Sequence, residues 1–159
     1  MHNSVSAVDP EGLLEYSVVY TDRSLNHMSQ AFQQVMRDIS QTLKQVYNAE
    51  AVAVVPGSGT YGMEAVARQF AGDKKCLIVR NGWFSFRWTQ ILDMGRIPSE
   101  TTVLKARPQS ADKQAPYAPP PIDEVVAAIH ANKPDVVFAP HVETSSGIIL
   151  PDAYMRAIA

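Results

Sequence analysis

The stretch Ala51-Val52-Ala53-Val54-Val55-Pro56-Gly57-Ser58-Gly59-Thr60-Tyr61-Gly62-Met63-Glu64-Ala65 limits what this chain can fold into more than any other. A short β-branched run stops at a proline, glycines and hydroxyls follow, and residues of good helix propensity come next. That order predicts a buried strand, a tight loop and the first turn of a helix. The first N–H groups of a helix lack intrahelical partners, and the helix dipole adds partial positive charge there. Glycines let the backbone approach a ligand closely, and Ser58 and Thr60 add hydroxyls. The sequence therefore predicts a socket for a phosphate.

The rest of the chain repeats this alternation. Residues Asp9 to Asn26 carry no strong period and read as an N-terminal arm, residues 1–26. From His27 to Asn48 the residues Phe32, Val35, Met36, Ile39, Leu43, Val46 and Tyr47 recur at spacings of three and four. They predict a long amphipathic helix. A helix from about Tyr61 to Ala71 follows the socket, with Met63, Val66, Ala67 and Phe70 inward and Gly72 as its terminating glycine. Lys75–Arg80 reads as a buried strand, Trp83–Met94 as a helix ending at Gly95, and Thr101–Leu104 as a weaker strand. Arg107–Pro121 is proline-rich and predicts an irregular loop. Ile122–Ala131 reads as a helix, Pro134–Pro140 as a buried strand, His141–Gly147 as a polar turn, and Leu150 onward as a last helix.

Strands alternating with helices predict a mostly parallel sheet with helices on both faces, an α/β fold. Ligands gather at the carboxyl ends of such strands. Three loops would then converge there: Gly57–Thr60, Asn81–Phe84 and His141–Gly147.

Composition narrows the function classes. The chain has 159 residues, 46% of them apolar and 19% charged, as in ordinary globular sequences. A net charge of −2 argues against a nucleic-acid surface. No apolar run approaches the roughly 20 residues of a membrane span. The N-terminus has neither a basic nor an apolar leader region, so a cytoplasmic protein is expected. The single cysteine, Cys76, sits in an apolar run and reads as a buried strand residue. No metal-ligand spacing of His, Cys or acids is visible. His141 reads as a loop histidine without assigned chemistry, and Glu143 as structural.

Gly57–Gly62 matches G-x-G-x-x-G between strand and helix, so a dinucleotide-binding, NADP-type oxidoreductase domain is one reading. The acid expected at the end of the second strand is replaced by Arg80-Asn81, an arginine that suits the extra phosphate of NADP. A second reading takes the three loops together: a phosphate socket, an aromatic face at Asn81-Gly82-Trp83-Phe84, and hydroxyls at Thr144-Ser145-Ser146. These suit a flat, phosphorylated heteroaromatic cofactor such as pyridoxal phosphate.

On these residues the chain resembles the class V, fold-type I pyridoxal-phosphate enzymes, particularly the alanine–glyoxylate and serine–pyruvate aminotransferases. The resemblance rests on Gly57-Ser58-Gly59-Thr60 with Met63-Glu64-Ala65, on Asn81-Gly82-Trp83-Phe84 with Arg87, and on His141-Val142-Glu143-Thr144-Ser145-Ser146-Gly147. It covers most of the chain from His27 onward. It implies a three-layer, mostly parallel sheet, with residues 27–159 as the N-terminal part of the cofactor-binding large domain, incomplete at the C-terminus. It implies that Ser58, Gly59 and Thr60 bind the cofactor phosphate, that Phe84 lies against the pyridine face (Trp83 if the register is one off), and that Thr144 bonds the ring's polar edge. A homodimer is implied as well, with an amino acid of alanine or serine type and a small 2-oxo acid, glyoxylate or pyruvate, as substrates.

In the family the Schiff-base lysine, the acid beneath the pyridine nitrogen and the substrate-clamping arginine lie beyond the His141 loop. None of Lys44, Lys74, Lys75, Lys105, Lys113 and Lys133 lies in a segment resembling the lysine motif. The expectation is an enzyme fragment without turnover of its own. The family's Pro-Gly-Pro segment is replaced by Tyr20-Thr21-Asp22-Arg23, which leaves the substrate pair open. A truncated paralogue that acts only as a binding partner is the remaining, non-enzymatic alternative.

Overall fold

The computed structural model describes residues 27–159, so the expected N-terminal arm lies outside the described residues. The chain divides into two units, residues 1–54 and 55–159.

In the first unit, α1 spans Gln30–Tyr47. The Ser29 hydroxyl accepts from the Phe32 N–H at 3.1 Å and starts the helix. Asn48, left-handed at φ 47°, stops it. The expected helix is present, yet none of its residues is buried. The expected strand at Ala51–Val55 does not form: these residues are irregular and mostly exposed. A β-branched run is only half of a strand; it needs a neighbour to complete its hydrogen bonds. Nothing among the described residues pairs with this one.

The second unit opens with Gly57, whose φ of 137° is in the region that favours glycine. Next come α2 (Gly59–Phe70), β1 (Lys75–Arg80), α3 (Trp83–Gly95) and β2 (Glu100–Lys105). The 107–121 segment carries a two-residue antiparallel pair, β3 (Arg107–Pro108) with β4 (Tyr117–Ala118), where the sequence predicts only an irregular loop. The chain continues through α4 (Ile122–Asn132), β5 (Val136–Phe138), the small hairpin β6 (Val142–Glu143) with β7 (Ile148–Ile149), and α5 (Asp152–Ile158).

The sheet order is β2-β1-β5, all parallel. Side chains on successive residues of a strand point to opposite faces, and β1 uses both. Cys76 and Ile78 pack with Ala67, Ala71, Leu92 and Ile97, the residues of α2, α3 and their following turns. Leu77 and Val79 pack with Val125, Leu150 and Tyr154 around α4 and α5. Burial on both sides explains why β1 reads as a continuous apolar run. Cys76 is buried as its neighbours predict, and that burial, with Asp135 nearby, pushes its thiol pKa up. Of the four inward residues expected in α2, only Ala67 is buried; Val66 and Phe70 are exposed.

The turns between helix and strand correct one detail. Gly72 does not terminate α2. The cap is Ala71, and the left-handed residue before β1 is Asp73 (φ 55°). Arg96 (φ 48°) and Lys133 (φ 45°) play the same part before β2 and β5. No described helix is long and apolar enough to cross a membrane.

Candidate functional site

The candidate site is built from the start of α2, the start of α3 and the β6–β7 hairpin. At α2 the N-cap Ser58 makes no side-chain cap bond, and the first turn holds no acid. Its N-terminal N–H groups and partial positive charge are therefore not neutralised locally. An added Cβ on Gly59 would meet nothing within 4 Å, so this helix start faces open space. Thr60 turns its hydroxyl to α3, where Oγ1 accepts from Arg87 Nη1 at 2.7 Å.

Arg87, which the sequence motif leaves without a role, joins two of the expected site segments. Its guanidinium carbon lies 5.5 Å from the centre of the Phe84 ring, within cation–π range. Among the described residues it has no carboxylate partner. A cleft of about 450 Å³ opens beside it and runs between α2 and α3 from Thr60 and Arg87 past Glu64 and Arg68 to Met94 and Gly95; Ser58, Gly59, Phe84 and Thr144 do not line it. Glu64 is engaged with Arg68 at 2.7 Å. An uncapped helix start and an unpaired guanidinium one hydrogen bond apart make a patch that favours an anion.

Phe84 is 44% exposed at the first turn of α3, so part of its ring is free to meet a ligand. Trp83 is also exposed, and its ring tilts against Phe86. The remaining aromatics of this cluster pack inward: Trp88 stacks on Phe138 at 4.3 Å, and Phe86 lies under the Arg80 guanidinium at 5.0 Å.

A buried carboxylate ties α3 to the hairpin. Glu143 is fully buried. It accepts from the N–H groups of Phe84 (3.1 Å) and Ser85 (2.8 Å) and from the hydroxyls of Ser85 (2.6 Å) and Ser145 (2.5 Å). Ser145 Oγ also accepts from Trp83 N at 2.7 Å, and Ser146 Oγ donates to the Asn81 carbonyl at 2.8 Å. Burial alone would raise the Glu143 pKa. The bonds from Ser145, Ser85 and Phe84 outweigh it and hold the carboxyl below its ordinary value. Thr144 sits between Glu143 and Ser145 on this hairpin and is exposed.

The expected site residues are thus linked in sequence: Thr60 to Phe84 through Arg87, and Phe84 to the Thr144 turn through Glu143. Ser58 and Gly59 reach the others only through the backbone of α2. The strand that a dinucleotide-binding pattern requires before Gly57 is not formed. Arg80, the residue suited to an NADP phosphate, is turned onto α3, with Nη1 at 3.5 Å from Thr89 Oγ1.

No protein-family description matches the chain, and no curated protein matches it. Among solved structures it is similar to ureidoglycine–glyoxylate aminotransferase from Bacillus subtilis, with a TM-score of 0.65 and 21% identity. The likeness covers 84% of this chain and 33% of that one, so the chain spans about a third of that structure's length. It shows the fold: a mixed α/β unit with a parallel sheet, like part of an aminotransferase.

Proposed function

We propose that the chain is the N-terminal part of the large domain of a class V, fold-type I aminotransferase, a three-layer α/β unit that binds pyridoxal phosphate. The observation that carries this is the chain of contacts from Thr60 through Arg87, Phe84 and Glu143 to Ser145, hydrogen bonds except for the cation–π contact of Arg87 with Phe84, which connects the three motifs of the resemblance.

The residues present fit the cofactor. Ser58, Gly59 and Thr60, at an uncapped helix start, would hold its phosphate, with the Arg87 guanidinium adding charge to the same anion. Phe84 would lie against the pyridine face, and Thr144 would hydrogen-bond the polar edge of the ring. When bound, pyridoxal phosphate withdraws electrons from the bonds at an amino acid's α-carbon. The described residues supply the binding and the orientation. Movement of the α-proton needs a lysine, and none lies in the three motif loops, residues 57–60, 81–84 and 141–147.

The whole enzyme would pass an amino group from an amino acid of alanine or serine type to a small 2-oxo acid, acting as a homodimer. The similar structure is that of a ureidoglycine–glyoxylate aminotransferase, and glyoxylate or pyruvate is the acceptor proposed here. Alone, the 159-residue chain binds the cofactor without turnover.

The test is a titration of the purified chain with pyridoxal 5′-phosphate, followed by tryptophan fluorescence, since Trp83 flanks Phe84. Saturable quenching is expected, weakened about tenfold in Arg87→Ala, a loss of about 1.4 kcal/mol. Quenching by NADPH with none by pyridoxal phosphate would overturn the proposal. Amino-acid turnover by the chain alone would overturn its last part.

A further inference from the structure

Glu143 is a fully buried charge at the end of β6, and the turn residues after it, Thr144, Ser145 and Ser146, are all exposed. A carboxylate in such a place persists only when donors surround it. Its four donors come from two places: Phe84 and Ser85 at the start of α3, and Ser145 on its own hairpin. We infer that Glu143 is a positioning residue: it holds the first turn of α3, and with it the Phe84 ring, in a fixed place against the hairpin that carries Thr144. This rests on the pyridoxal-phosphate function proposed above, in which Phe84 and Thr144 meet the same ring.

Three observations favour this over a merely local helix cap. A local cap would be a Ser, Thr or Asp at the N-cap position, which satisfies the helix without engaging another segment. Here that position is Gly82, and the capping group arrives from 58 and 59 residues away. An added Cβ on Gly82 would lie 2.5 Å from Ser145 Oγ and 2.7 Å from Glu143 Cγ, so the hairpin occupies the place of a local cap's side chain. Gly82 has φ 177°, which any residue adopts, so the glycine is needed for room rather than for conformation. Ser145 and Ser146 add two further bonds between the same segments, to Trp83 N and the Asn81 carbonyl. Arg87, one turn further into α3, reaches Thr60 by a bond that does not involve Glu143. Loss of the carboxylate therefore loosens the ring-facing part and spares the phosphate-facing part.

The test compares the chain with Glu143→Gln, which keeps the size and removes the charge. Amide exchange followed by NMR should be about tenfold faster at Phe84 and Ser85, with Leu77 and Val79 of β1 unchanged. Affinity for pyridoxal 5′-phosphate should fall about tenfold while affinity for inorganic phosphate stays level. Unchanged exchange at Phe84, uniform acceleration across the chain, or equal losses for both ligands would each overturn the inference. Local acceleration in a chain that binds neither ligand would uphold the clamp and sink the cofactor proposal instead. Should Glu143→Gln fail to fold, Ser145→Ala takes its place at an exposed position. There, faster exchange of the Phe84 and Ser85 amides, which bond Glu143 and not Ser145, is the supporting result and no change the contrary one.

Discussion

Asn81 follows the last residue of β1 and is 3% exposed, yet neither atom of its side-chain amide has a partner among the described residues. A buried amide left unpaired costs about 1–3 kcal/mol. Leucine fills a similar volume without polar atoms. Asn81→Leu is therefore expected to raise the unfolding free energy of the chain by about 1–2 kcal/mol, measured by urea denaturation. A loss of stability would show that the amide is paired in solution. In the sequence Asn81-Gly82 reads as a turn, and nothing nearby marks the asparagine as buried or the glycine as crowded. Glu143 was equally opaque. Its structural role was expected, but three of its four donors lie in another segment, and no local pattern encodes them.

At the level of elements, what was legible depended on how local the determining physics is. The helices α1, α3 and α4 follow from spacings of three and four, which one turn of backbone decides. β1 was legible because burial on both faces leaves a continuous apolar run. The Ala51–Val55 run is also apolar and rich in β-branched residues yet forms no strand, because strand formation is settled by a partner elsewhere. Of the three motif loops only two follow strands; the helix start of α2 is joined to α3 through Arg87 instead. The interlock of α3 with the β6–β7 hairpin gives a direct prediction. Gly82→Ala would force its methyl into Ser145 Oγ and the Glu143 side chain. Overpacking of this kind costs about 1–3 kcal/mol. A drop of that size in the urea unfolding free energy is expected, and Ser145→Ala in the same chain should recover part of it.

Across the whole molecule, the held carboxylate makes stability depend on acid. The folded Glu143 pKa lies below its ordinary value of 4.5. Its contribution is complete above the unfolded value and is lost as pH falls through the folded one. The urea midpoint should therefore stay level from about pH 7 to about pH 5 and decline below that. The decline should be shallower in Glu143→Gln, which has no proton to take up; parallel curves would remove Glu143 from the acid response.

The left-handed residues Asp73, Arg96 and Lys133 stand just before β1, β2 and β5, at the amino ends of the strands. The residues proposed to meet a ligand lie at the opposite rim. Backbone strain and chemistry are thus kept at separate poles of the sheet. A lineage can trade those three residues for glycine, or back again, and retune its heat tolerance without disturbing what the other pole recognises.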